Sequence, residues 1–372
     1  MGAMKYKDDW DEAVARMQAF WRGEVLDRCC VAVTAPRDTP LACEYERRPA
    51  ASLEELWLDT EYRHGQTMHR FATTYYGGES FPLEMCNLGP GVIAACMGGS
   101  FHLGEDTVWF DTDPFIRDWD PQPTFRLDRE SPMWRLLTGM TSHFIEHADG
   151  DYIVGISDIG GNLDLIAACR GTERLLYDVY DHPDRIAKAA QDVDEVWKTV
   201  FAELQSIIDR GQRGCSSWMP IFNEDRWYPL QCDFSAMISP DDFETLVAPA
   251  LVREAAFLDH AIFHLDGPDA AVHLDRLLEI DEIDGIQWTP GAQLTGSSAD
   301  DGSGAYLLAA DRWFALYEKI QRRGKRLVLL GARAQDVETL LDRLEPEGLF
   351  ISTSCRSQEE ADAILERAKR TR

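Results

Sequence analysis

Residues 261–290 read AIFHLDGPDAAVHLDRLLEIDEIDGIQWTP. A short apolar run, Ala261-Ile262-Phe263, ends on His264, and Asp266 follows two residues on. After a Gly267-Pro268 turn, apolar residues at Val272, Leu274, Leu277, Leu278 and Ile280 suit one face of a helix. A second run, Ile283 to Ile286, ends on Gln287 and Trp288. The pattern predicts strand, loop, helix and strand, with polar side chains gathered just past both strand ends. In a parallel sheet or barrel, ligands bind at that edge, because side chains and loop amides from several strands converge there.

The same alternation extends outward through the second half of the chain. Strands are expected at 152–157, 217–221, 228–231, 326–330 and 348–352. Helices are expected at 133–147, 173–180, 184–211, 311–323, 335–344 and 357–370, and Gly324 and Gly348 punctuate the helix-to-strand joints. Strand–helix alternation implies parallel strands with right-handed crossovers. The number of units and the length favour an α/β fold of the (β/α)8 TIM-barrel type, as one domain spanning 1–372. Upstream, 8–22 has helical spacing and forms an N-terminal helical extension (about 1–28) ahead of a first strand at 30–35. A helix at 53–75 is expected on the barrel exterior. Its Arg63, His64, His69 and Arg70 could face a pocket, though nothing in their spacing requires it. The Gly-rich 87–101 has no P-loop spacing and reads as a tight loop. The aromatic, Pro-rich segment at about 100–135 reads as an inserted, irregular lid or dimer contact.

A net charge of −28 with no basic cluster excludes nucleic acid as a partner, because phosphate affinity rests on clustered Lys and Arg. No apolar run approaches the roughly 20 residues of a membrane span. The charged opening MGAMKYKDDW lacks the apolar core of a signal peptide, so a cytoplasmic protein is expected. The nine cysteines show no Cys-x-x-Cys spacing and are expected as reduced thiols; only Cys232 and Cys355 stand in contexts that suggest more.

The strand ends carry the chemistry. They present Asp158, Asn162 and Asp164; Gln231, Cys232 and Asp233; His264 and Asp266; Gln287 and Trp288; and Thr353, Ser354 and Cys355. Turn chemistry alone would need only Gly, Ser and Thr. His264 and Asp266, two apart, share a strand face. With Cys355 from the last strand they form a reasonable set for Zn²⁺ or another divalent metal, since zinc takes imidazole, thiolate and carboxylate and leaves a fourth position for substrate in catalytic sites. The plainer alternatives are a hydrogen-bonded histidine without metal, a buried thiol at Cys355, and helix capping by Asp164 and Asp241.

The run QCDFSAMISPDDFETLVAPALVR, from Gln231 to Arg253, resembles the Asp-bearing strand and following helix of the uroporphyrinogen decarboxylase superfamily. FHLDG is similar to the place where that superfamily's methylcobamide:coenzyme M methyltransferase branch carries His-x-Cys, and STSC to its later metal-binding Cys. GGNLDLIAACRG resembles a further segment of the superfamily. The likeness covers roughly 150–370. Neither the Arg-Gln-Ala-Gly-Arg-Tyr motif nor the Gly-His-Gly loop of true decarboxylases is present, and Asp266 stands in place of the methyltransferase Cys.

The resemblance implies a metal-dependent methyltransferase in which a metal-activated thiol or similar nucleophile accepts a methyl group, with a methyl-corrinoid, free or on a corrinoid protein, as candidate donor. His264, Asp266 and Cys355 would hold the metal, and Asp233, His264 and Gln287 would be catalytic. Asp158, Asn162, Gln231 and Trp288 would meet a small-molecule substrate, and a homodimer is a candidate assembly. The alternatives are a metal-free decarboxylase or lyase with Asp233 and His264 as acid and base, and a non-catalytic corrinoid- or small-ligand-binding protein.

Overall fold

The computed structural model describes residues 4–110, 115–291 and 307–369. Among these, the strands in chain order are β1 Cys30–Pro36, β2 Thr74–Gly78, β3 Leu83–Glu84, β4 His102–Leu103, β5 Val108–Trp109, β6 Ile153–Val154, β7 Trp227–Gln231, β8 His260–Asp266, β9 Gly285–Thr289, β10 Arg326–Arg333 and β11 Leu349–Ser354. Seven of them form one sheet in the order β2-β1-β11-β10-β9-β8-β7. Every pair in it is parallel except β1 with β2. The centres of β1, β7, β8, β9 and β11 are buried without alternation, as expected of strands covered on both faces. Helices supply the cover: Ala248–Phe257 lies between β7 and β8, Asp311–Arg322 between β9 and β10, and Val337–Arg343 between β10 and β11.

The expected barrel closure is not formed as a continuous ladder. The sheet ends at β2 and β7, and β7 carries Pro229, a residue that lacks a ladder donor and is confined to edges. The expected strand at 152–157 pairs with β3 at Ile153–Val154, and its only link to the expected strand at 217–221 is a single bridge, Ile156 to Ser217. Individual hydrogen bonds cross the gap. The Ser80 hydroxyl donates to the Val33 carbonyl at 2.5 Å, and the Tyr228 hydroxyl donates to the Ser157 carbonyl at 3.0 Å.

The helix Trp10–Arg22 packs beside the sheet rather than apart from it. Trp21 meets Trp227 at 5.1 Å between centroids, and Phe20 meets Phe350 at 5.9 Å. Gly23 stops this helix with φ 69°, a left-handed conformation that glycine takes at least cost. The expected helix at 53–75 is two, Leu53–Leu58 and Thr60–Thr73, because the Asp59 carboxylate accepts the Tyr62 N–H at 2.8 Å and caps a new start. In the 100–135 segment, β4 and β5 form a short hairpin, Ile116, Trp119 and Phe125 are buried, and residues 111–114 lie outside the described ones. Val272, expected on an apolar helix face, is exposed, whereas Leu274, Leu277 and Leu278 are buried. No helix among the described residues is long and apolar enough to cross a membrane.

Candidate functional site

Three adjacent strands build the centre. Their registers set Gln231 of β7, His264 of β8 and Gln287 of β9 side by side, and Asp266 faces Thr289 one pleat further on. Beyond β7 the chain enters a short 3-10 turn, Asp233–Met237. The Asp164 carboxylate accepts the N–H groups of both Asp233 and Phe234 at 2.8 Å, anchoring that turn over the strand ends. Ligand atoms of Asp233, His264 and Asp266 consequently all lie within 4.8 Å of one another. No other group of three His, Cys, Asp or Glu residues among the described ones meets that spacing.

The His264 ring is fixed from two sides. Its Nδ1 donates to the Gln287 side-chain oxygen, while the Gln287 amide nitrogen donates to the Trp288 carbonyl and the Thr289 hydroxyl, each at 2.8 Å. A carbonyl can only accept, so the amide nitrogen must face Trp288, and the amide oxygen is left for the imidazole. This puts the ring proton on Nδ1 and the lone pair on Nε2. Trp218 meets the ring edge-on at 5.2 Å between centroids.

The surrounding charges are acidic. Asp158 is pushed up to about 6, chiefly by burial and further by Asp233, against the Gly160 N–H and His264. Burial, with Asp233 nearby, also raises Asp266, and its Oδ1 is buried without a hydrogen-bond partner. Burial and Asp233 raise Asp164, opposed by the two N–H groups it holds. The loop carrying Asp158 needs glycine at 160, where φ is 59° and a Cβ would stand 2.3 Å from the Pro90 carbonyl oxygen. Carboxylates crowded around an imidazole, one with an unpartnered buried oxygen, are what a divalent cation satisfies. An oxygen–oxygen–nitrogen set fits zinc and also harder ions such as manganese.

Several expected residues stand elsewhere. Cys355 does not join His264 and Asp266. It follows β11, which β10 and β9 separate from β8, a lateral step of roughly 14 Å at about 4.8 Å per strand. Its N–H is held by the Thr34 carbonyl at 2.7 Å, and burial pushes its thiol up to about 11. Asp233 is the residue whose carboxylate lies within 4.8 Å of both His264 and Asp266. Trp288 points to the opposite face of β9 from Gln287 and packs on Trp313 at 4.9 Å, so it is core rather than a substrate wall. Asn162 is fully buried and ties the start of helix Asn162–Arg170 to the Val247 carbonyl at 3.2 Å, a structural role instead of the expected substrate contact. Gln287 orients His264 rather than offering its oxygen to a ligand. Gln231 is buried beside His264, and Asp158 stands close enough to His264 and Asp233 to feel both charges.

Sequence reasoning passed over Trp218, which sits within the expected strand at 217–221 with no motif around it. Trp218 also lines a cavity of about 540 Å³ together with Arg63, Thr67, Arg70 and Thr353.

No protein-family model matches the chain, and no curated protein does. Among solved structures, a methyltransferase from Methanosarcina mazei is similar in fold, with a TM-score of 0.59 over 96% of this chain and 98% of that one, at 13% identity. At that identity the likeness concerns the fold.

Proposed function

We propose that this chain is a metal-dependent methyltransferase in which Asp233, His264 and Asp266 hold Zn²⁺ or another divalent ion and a thiol or similar nucleophile accepts a methyl group. The observation that carries the reading is the convergence of these three side chains within 4.8 Å, with the Asp266 Oδ1 buried and unpartnered. A divalent ion bound there would act as a Lewis acid and lower the pKa of a coordinated thiol. Gln287 holds the His264 ring by its Nδ1, and Asp164 holds the turn that delivers Asp233. Asp158, beside His264 and Asp233, is placed to take the proton that the nucleophile gives up.

The choice of methyl transfer is supported by the full-length fold likeness to a methyltransferase and by the resemblance of FHLDG and STSC to the methylcobamide branch. A methyl-corrinoid is accordingly the donor to test. Reading the sheet as a distorted barrel of the (β/α)8 type draws on the same likeness and on the single hydrogen bonds that cross the gap between β7 and β1. The experiment is transfer from methylcobalamin to small thiols, assayed with purified protein before and after chelation. Turnover that disappears on chelation and returns with Zn²⁺ is expected.

A second reading has a specific observation in its favour. The closeness of Asp233 and His264 also suits a metal-free acid–base pair for decarboxylation or elimination on a small acid. Activity on such a substrate that survives chelation and is lost in Asp233→Asn would favour it.

A further inference from the structure

The cavity beside the metal set differs in charge from the rest of the molecule. The helix Thr60–Thr73 presents Arg63, Thr67 and Arg70 to it, at the i, i+4 and i+7 spacing of one helical face. In a chain with 65 acidic and 37 basic residues, no Asp or Glu is among the lining residues. Neither arginine has a carboxylate within ion-pair distance among the described residues. Arg63 is steadied by the carbonyls of Asn87 at 3.2 Å and Trp57 at 3.5 Å, and Arg70 by the Leu83 carbonyl at 3.1 Å. A guanidinium carries five N–H donors, so these bonds leave others for a ligand.

One further polar group on a residue that lines the cavity is unsatisfied. The Trp218 indole N–H is buried without a hydrogen-bond partner. Leaving such a group unpaired is costly, and it is a donor for an acceptor that arrives with a ligand.

We propose that this cavity binds an anionic group, a carboxylate, sulfonate or phosphate, through Arg63, Arg70 and the Trp218 N–H. Two guanidinium groups and about 540 Å³ suit a small molecule bearing one or two negative charges, rather than a polycarboxylated macrocycle. Trp218 divides this cavity from His264, with ring centroids 5.2 Å apart. A molecule anchored here by its charged end would extend its other end past Trp218 toward Asp233, His264 and Asp266. Treating the anion as the substrate's tail rests on the methyltransferase reading; the anion site itself does not.

The test is titration of the full chain with acetate, methanesulfonate and methylphosphonate, followed by calorimetry or ligand-detected NMR, with neutral dimethyl sulfone as control. The wild type should bind at least one anion saturably and dimethyl sulfone not at all. Arg63→Gln/Arg70→Gln should weaken that anion roughly tenfold or more, as expected for lost charge-assisted bonds. Trp218→Phe should weaken it too, because it removes the indole N–H while keeping a ring against His264. It also serves if the arginine variant does not fold. Asp266→Asn should bind the anion as the wild type does. The proposal is overturned if the wild type shows no saturable anion binding, if the arginine and Trp218→Phe variants bind normally, or if Asp266→Asn abolishes binding and so places the anion on the carboxylate cluster. Retained anion binding in a protein that takes up no metal would overturn the metal reading alone.

Discussion

The side-chain oxygen of Gln287 accepts the Nδ1 proton of His264 across the β8–β9 pair, and the same amide is locked from behind by the Trp288 carbonyl and the Thr289 hydroxyl. The imidazole is thereby committed to one tautomer and one orientation. Such partners behind a ligating histidine tune metal affinity strongly.

Gln287→Leu should therefore weaken binding of a divalent metal by about 10- to 100-fold. Gln287→Glu, which keeps an acceptor in place, should lose much less. Competition against a chromophoric chelator reads both constants. Wild-type affinity in Gln287→Leu would show that the hydrogen bond does not orient the ring for a ligand.

Cys355→Ser should leave metal stoichiometry and affinity as they are. The thiol belongs to the β11–β1 side of the sheet, bonded through its N–H to Thr34, and burial keeps it protonated near neutral pH. Loss of metal in this variant would restore the cysteine to the ligand set in place of Asp233.

Glu254 provides a pH-dependent signal away from the site. It is fully buried, and burial with Asp194 alongside raises it well above its ordinary 4.5, against the Asn162 N–H. A folded-state pKa above the unfolded one means that the native chain holds a proton which the unfolded chain releases. The contribution is fully present below about 4.5 and is lost as pH rises toward the folded value. Glu254→Gln removes this titration, so its stability relative to wild type should increase between pH 5 and pH 8 in urea unfolding. A pH-independent difference would mean that the carboxyl is not held protonated.

The strand–helix rhythm was legible because apolar runs of four to six residues, punctuated by glycine, are a local signal. β8 and β9 fall where the runs ending at His264 and Gln287 place them. Where the sheet ends was not legible, since it depends on register between distant segments such as Ile153–Val154 and Leu83–Glu84. His264 and Asp266 could be paired from strand alternation alone. Asp233 as their third companion could not, because the turn that delivers it is anchored by Asp164, 69 residues earlier. Cys355 is not among the clustered side chains for the converse reason: equivalent positions at two strand ends do not fix the lateral distance between them. Arg63, Thr67 and Arg70 have a readable helical spacing, but a periodicity does not say whether a polar face looks at solvent or at a cavity.

The most direct test of the central claim is the metal content of protein purified without chelator, measured by plasma mass spectrometry on wild type, His264→Ala and Asp266→Asn. About one equivalent of a divalent ion per wild-type chain is expected, with substantial loss in both variants and native circular dichroism retained. A folded wild type that carries no metal and takes none up on dialysis against Zn²⁺ or Mn²⁺ would contradict it.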